Sequence, residues 1–221
     1  MNLAERVQAI ILRPKDTWSV IAGEGGNVPS IYKNYLVYVA AIPAVASFIG
    51  LSIIGAGAFG ISHSFDVNLR VPIVSGLVNM VVGFVLSLVM IYVISLIANA
   101  LAPTFKGEKN SLNAFKLVAY GSTAGLLSGI FNLLPQLSML GWLAALYSVY
   151  LLYTGVPVMM KAPKDKAMGY TAVLIFCSVV AAIIVGAVSP IFTEGGGMIT
   201  SVVIAMVVVA VIMVAIMRGS G

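Results

Sequence analysis

The sequence predicts an all-α fold, a polytopic helical bundle embedded in a membrane, and three observations carry that prediction. The chain is 61% hydrophobic and 9% charged, with a mean hydropathy of +1.09, against about 45–50% apolar and about 25% charged in soluble domains. Apolar runs close to the ~20 residues a helix needs to cross about 30 Å of hydrocarbon recur six times. Such runs are too long for outer-membrane strands, which take about 9–11 residues of alternating polarity. The 221 residues therefore divide into a segment 1–30 and a transmembrane domain 31–221, with no room for a separate soluble domain.

Segment 1–30 places Leu3, Val7, Ile10, Pro14, Trp18 and Ile21 at helical spacing, with Glu5, Arg6, Gln8, Arg13, Lys15 and Asp16 between them. This pattern predicts an amphipathic helix lying in the cytoplasmic membrane interface. Asn2 and Glu5 have capping-box spacing; Pro14 suits the first turn of a second short helix, where Asp16 meets the positive end of the dipole. Pro14 and Trp18 are the expected interfacial anchor, because an indole favours the headgroup boundary. Residues 23–30 read as a flexible link. Charges scattered through the first 30 residues interrupt the apolar core of a signal peptide, so the first span reads as an uncleaved anchor.

Span 1, 35–59, contains Pro43 and ends among Gly55, Gly57 and Gly60, which predicts a kink or an early end. The loop 61–70 carries His63, Asp66 and Arg70. Span 2, 71–101, has Pro72 in its first turn and is long enough to require tilt. After a polar loop with Lys106 and Lys109, Asn110 or Ser111 can cap span 3, 112–134. There Gly121, Gly125 and Gly129 stand four apart on one face, the small-residue pattern that lets helices approach closely in lipid. Pro135 and Gln136 turn tightly into span 4, 137–160; span 5, 168–188, and span 6, 198–217, follow. With six spans and both termini cytoplasmic, eleven of the twelve basic residues lie inside and Arg70 lies outside. That is the positive-inside pattern of a prokaryotic cytoplasmic (inner) membrane protein.

Ionisable groups near the midplane would mark an enzyme or an ion-coupled transporter. All seven acids, Glu5, Asp16, Glu24, Asp66, Glu108, Asp165 and Glu194, fall instead in loops or the N-terminal segment. His63 is a single loop histidine, Cys177 a single thiol within an apolar run, and no P-loop, zinc spacing or nucleophile elbow appears. The expectation is a non-enzymatic protein with no catalytic residue, metal or cofactor. Its net charge of +5 is explained by topology and anionic lipid rather than by nucleic acid. Asn79, Asn99 and Asn132 are the most demanding polar side chains within the spans and call for interhelical hydrogen bonds.

The most distinctive stretch runs from Tyr147 to Thr171. Tyr147, Tyr150 and Tyr153 form an aromatic stripe near the end of span 4, and Gly155 permits a close neighbour. Pro157 has no N–H for the carbonyl of Tyr153, so the helix is expected to bend as it leaves the membrane. Lys161, Lys164 and Lys166 follow, where each cation near an anionic surface is worth about 1 kcal/mol. Gly169 and Tyr170 open the next span.

This stretch, YSVYLLYTGVPVMMKAPKDKAMGY, resembles the corresponding signature of prokaryotic members of the Yip family, the Ypt/Rab-interacting proteins. The segment ILRPKDTWSVI is similar to the Pro-x-x-x-Trp entry segment of the same group. The resemblance implies a multispan α-helical protein with a cytoplasmic N-terminal region. Eukaryotic relatives associate with Rab-type GTPases and shape membranes, but this sequence lacks their Asp-Leu-x-Gly-Pro type motif, so that partner is not carried over. The family is commonly described as five-span, whereas the charge distribution here favours six.

The function expected is lipid or protein contact at the cytoplasmic face, a membrane-organising role. Tyr147, Tyr150, Gly155, Pro157, Lys161, Lys164, Lys166, Gly169 and Tyr170 are the contact residues. Expected partners are membrane lipids, with a homo-oligomer or a membrane-protein partner beside them. The alternative is a transporter or lipid translocator whose polar path runs between spans 3 and 4, past Ser122, Ser128, Asn132 and Tyr147.

Overall fold

The computed structural model describes residues 2–55, 71–133 and 137–188, and these are helices joined by short loops. Two short helices come first, α1 (Leu3–Leu12) and α2 (Pro14–Gly23). Five longer ones follow: α3 (Val28–Ile54), α4 (Ile73–Leu101), α5 (Ser111–Leu133), α6 (Ser138–Met159) and α7 (Lys164–Val188). Helices α3, α4 and α5 are each long and apolar enough to cross a membrane, and Leu143–Met159 of α6 is a shorter apolar segment. Predicted span 6, the loop with His63, Asp66 and Arg70, and the Pro135-Gln136 turn lie outside the described residues.

Local chemistry explains where the helices begin. Asn2 and Glu5 form the full capping box of α1, and Pro14 sits in the first turn of α2. The N-terminal segment is thus a hairpin of two helices. It breaks at Arg13, whose φ of −136° and ψ of 60° are not helical, immediately before a proline that disfavours helical geometry in its predecessor.

The predicted flexible link is shorter than its composition implies. Asn27 accepts a hydrogen bond from Ser30 N at 2.9 Å, and Pro29 lies in the first turn, so α3 begins at Val28, seven residues before the predicted start. Its other end is Gly55, where φ is +84°, a conformation open to glycine. Helix α3 contains Pro43 and winds as a π-helix over Tyr32–Leu36 and Ile49–Ile54. Helix α7 likewise begins at Lys164, with Lys166 N and Ala167 N both donating to the Pro163 carbonyl.

Helix α4 packs against α3, α5 and α7, and α6 against α5 and α7, while α3 also crosses the second half of α5. The glycines of α5 set two of these approaches. A Cβ on Gly121 would lie 2.5 Å from Leu152 Cδ2 of α6, and one on Gly129 would lie 2.3 Å from Pro43 Cβ of α3. At Gly125 the approach is polar: its N–H donates to Ser148 Oγ at 2.8 Å. Where α3 crosses the second half of α5, a Cβ on Gly50 would also meet the Asn132 carbonyl oxygen at 2.0 Å.

Candidate functional site

The end of the bundle where α4, α6 and α7 meet their loops gathers most of the singled-out residues. Two chain reversals there use left-handed residues, Lys106 (φ 57°) and Lys161 (φ 51°). Glu108 N donates to the Met160 carbonyl at 2.8 Å, and Gly107 lies so close that a Cβ would stand 2.8 Å from the same oxygen. Lys161 Nζ pairs with Glu108 Oε2 at 2.7 Å, with both side chains about two-thirds exposed. The loop after α4 and the loop before α7 are therefore one surface, carrying Lys106, Lys109, Lys161, Lys164 and Lys166, all exposed. Lys164 and Lys166 lie in the first turns of α7, where the helix dipole adds positive potential and Asp165 offsets part of it.

Beneath this surface Tyr170 is completely buried, stacks on Phe105 at 5.2 Å and 19°, and donates its hydroxyl to the Ala98 carbonyl of α4. Gly169 leaves room for the same ring, since a Cβ there would stand 3.1 Å from Phe105 Cε1. Tyr170 and Gly169 thus tie α7 to α4 and its loop. Pro157 lies inside α6, two residues before its end. The rings of Tyr147 and Tyr150 meet at 5.6 Å, tilted by 41°, while Tyr150 and Tyr153 are 40% and 43% exposed.

Gly155 and Trp18, distant in sequence, meet. A Cβ on Gly155 would lie 2.7 Å from both Trp18 Cε2 and Leu117 Cδ1. The Trp18 ring is wholly buried in protein, and its indole N–H donates to the Leu151 carbonyl of α6 at 3.1 Å. The indole predicted for the headgroup boundary is instead packed between α5 and α6. Pro14 is buried as well. The apolar side of the hairpin, with Ile10, Trp18 and Ile21 fully buried, faces the bundle, and Leu12 and Val20 face outward.

Polar contacts that the sequence did not reveal fix this docking. Lys116, six residues into α5, is 3% exposed and donates to the carbonyls of Ile21 (3.0 Å) and Glu24 (2.5 Å). These carbonyls end α2, so the cation meets the negative end of its dipole. Arg6, 8% exposed, pairs with the Glu24 carboxylate and lies over the Tyr120 ring at 5.8 Å. The Tyr120 ring packs against Tyr35 at 4.6 Å with a 57° tilt, and Tyr35 shares a 2.7 Å hydrogen bond with Thr123. Tyr147 donates to the Ile11 carbonyl at the end of α1. The Arg6, Glu24 and Lys116 cluster left only one weak trace in the sequence: a lysine inside an apolar run.

The polar path expected between spans 3 and 4 meets close packing at Gly121 and Gly125. Of its expected lining, Ser122 and Ser128 bond within α5, to Val118 and Gly125 carbonyls. Asn132 donates to Ser47 of α3 at 3.0 Å, away from α6.

Comparison with known proteins places the chain. Two curated relatives, each named "Inner membrane protein YohC", come from Escherichia coli K12 and from E. coli O6:H1 strain CFT073. Each is 24% identical over 169 residues, 75% of this chain and 84% of the relative. No solved structure matches it. The family model described as the Yip1 domain matches residues 9–187, from within α1 almost to the end of α7, and the chain therefore belongs to the Yip1 domain family.

Proposed function

We propose that this protein is a non-enzymatic membrane organiser whose working surface is the basic end of the bundle, facing the cytoplasm, where it engages phosphate groups of anionic lipids. The observation that carries this reading is the stitching of two loops through Glu108 and Met160, which presents five lysines as one exposed surface. A fixed array of cations beside a membrane gathers anionic headgroups at about 1 kcal/mol per charge. Lys161 is partly neutralised by Glu108, so Lys164 and Lys166 carry more of the attraction. A cytoplasmic position for this end follows from the positive-inside distribution of basic residues. The Yip1 domain family has no known enzymatic activity, in keeping with a contact role.

The test replaces Lys161, Lys164 and Lys166 together by Gln and measures recruitment of phosphatidylglycerol against phosphatidylcholine to the purified protein by native mass spectrometry. Loss of the three lysines, with Lys161 already partly offset by Glu108, lowers the phosphatidylglycerol preference by about 2–3 kcal/mol, roughly 30- to 150-fold, at low salt. An unchanged preference refutes the proposal.

A further inference from the structure

Away from the basic loops, α3 and α4 enclose a cavity of about 340 Å³, within the range of small-ligand sites. The space follows from the side chains that face each other. Ala40, Pro43 and Ala44 on α3 lie opposite Gly76, Gly83 and Ser87 on α4, and the π-helical turn Ile49–Ile54 closes one end. Small residues alone would let the helices close up, as they do at Gly129 and Pro43. Here Phe48, Met80 and Phe84 complete the lining, and the helices touch at Gly76, where a Cβ would lie 3.1 Å from Phe48 Cδ2.

Two polar atoms at this cavity have no partner. Ser52 is 7% exposed, and its Oγ, which lies where a Cβ on Gly76 would be (2.0 Å), makes no hydrogen bond among the described residues. Asn79, three residues along α4, has a buried Oδ1 that is likewise unpartnered. A buried acceptor left without a donor is destabilising in a protein and more so in lipid. The neighbouring Ser47 and Ser87 do not relieve them. Ser87 donates to the Phe84 carbonyl, and Ser47 accepts from Asn132. Among the described residues, no side chain lining the cavity is charged.

We propose that this cavity binds the head of a neutral, hydroxyl-bearing amphiphile of the monoacylglycerol or fatty-alcohol type. The hydroxyl donates to Asn79 Oδ1 and accepts from Ser52 Oγ, and the hydrocarbon lies along Ala44, Phe48, Leu51 and Met80. Each feature of the site selects this class. An acceptor requires a donor, which an ionised fatty acid or an ester lacks. The uncharged lining disfavours an anionic or cationic head. The apolar walls call for a chain, and Leu51, 43% exposed, marks a rim open to surrounding hydrocarbon.

The experiment uses the full-length protein purified in dodecylmaltoside, with 1-monoolein and oleyl alcohol as probes and oleate and methyl oleate as controls. Native mass spectrometry counts bound molecules, and a diazirine-bearing monoacylglycerol maps the contact by peptide analysis. The expected result is one saturable monoolein, adducts within 40–52 and 71–87, and binding of oleate and methyl oleate at least tenfold weaker. Asn79→Leu, which keeps size and suits a lipid environment, weakens monoolein about tenfold, the worth of one buried hydrogen bond. Gly83→Leu, which fills the cavity, abolishes the adducts. Oleyl alcohol binding as well as monoolein identifies the single hydroxyl as sufficient; monoolein binding alone identifies a glyceride head. Adducts spread over other segments, methyl oleate binding equal to monoolein, or Asn79→Leu with unchanged affinity each overturn the proposal. So does a cavity that takes up none of the probes. Mapping on the unsubstituted protein keeps the test decisive if either variant fails to fold.

Discussion

Filling the space at Gly155 should expel Trp18 and loosen the N-terminal hairpin, and the packing around that residue sets the size of the effect. A single methyl would lie 2.7 Å from Leu117 Cδ1 and 2.7–2.8 Å from two carbons of the Trp18 ring. The leucine end can rotate away. The indole is less free, because its N–H is held by the Leu151 carbonyl one turn earlier in α6. Overpacking of this kind costs about 1–3 kcal/mol, offset by about 1 kcal/mol from the better helix propensity of alanine, leaving Gly155→Ala about 0–2 kcal/mol less stable. Gly155→Leu leaves no place for the ring. Burial of an indole, about 150–250 Å² at about 25 cal/mol per Å², is worth at most about 4–6 kcal/mol. The remaining anchors are the burial of Ile10 and Ile21 at about 1.5–3 kcal/mol each, the Lys116 bonds at about 1.5–3 kcal/mol, the Tyr147 bond at about 0.5–1.5 kcal/mol, and Arg6 over the Tyr120 ring at about 0.5–2 kcal/mol. The loss is a large share of the total, so the leucine variant expels the indole and loosens the hairpin, and the alanine variant does neither. In a Trp142→Phe background, emission then reports Trp18 and shifts to longer wavelength in Gly155→Leu. Tryptic cleavage after Arg6, which is buried in the docked hairpin, accelerates in parallel. A leucine variant with unshifted emission and unchanged cleavage at Arg6 would refute the reasoning.

Other contacts give sharper or smaller effects. Lys116→Met removes two bonds and leaves the Ile21 and Glu24 carbonyls without their donor. It should lower the thermal midpoint in detergent by an amount equivalent to about 2–4 kcal/mol and speed cleavage at Arg6. Tyr170→Phe keeps the stack on Phe105 but loses the hydroxyl bond to Ala98; about 0.5–1.5 kcal/mol is expected from the same melting measurement. Along the glycine stripe, alanine should be worst at Gly129, where the obstacle is the Pro43 backbone and ring, intermediate at Gly121 against a movable Leu152, and mildest at Gly125. Monodisperse yield from size-exclusion chromatography of the three variants should follow that order.

Much of the helical layout was legible because the signals are local. Run length located α4, α5 and α6 within a residue or two, Pro14 placed the start of α2, and the Asn2–Glu5 box capped α1. The stripe Gly121, Gly125, Gly129 was readable as a packing face because spacing of four is a property of one helix. The early start of α3 was missed because Asn27 and Pro29 sit in a stretch rich in glycine and polar residues, where cap and linker share a composition. The docking of the hairpin was not readable at all. An apolar stripe of Ile10, Trp18 and Ile21 is the same pattern whether it faces lipid or protein. What decides is a complementary notch, and Gly155 lies 137 residues from Trp18.

Lys116 shows how the two halves of this arrangement depend on each other. A lysine within a membrane helix costs up to about 2.5–3.5 kcal/mol at the centre, less toward the end, unless its charge is met. Lys116 stands six residues into α5, about 8 Å along the axis, with a side chain too buried to reach water past the hairpin. The last carbonyls of α2 have no intrahelical partners and carry the negative end of its dipole. Each therefore meets the other's need: the lysine caps the helix and the helix solvates the lysine. Arg6 adds a second cation only 18 residues before the single acid, Glu24, that pairs with it, so the cluster keeps a net positive charge beside buried tyrosines. With the hairpin removed, Lys116 would have to be met by water or by a lipid phosphate reaching the notch at Gly155. A truncation lacking residues 2–24 should accordingly gain affinity for phosphatidylglycerol over phosphatidylcholine, and the gain should vanish in Lys116→Met. Equal lipid preference with and without the hairpin would mean that the lysine finds another partner within the bundle.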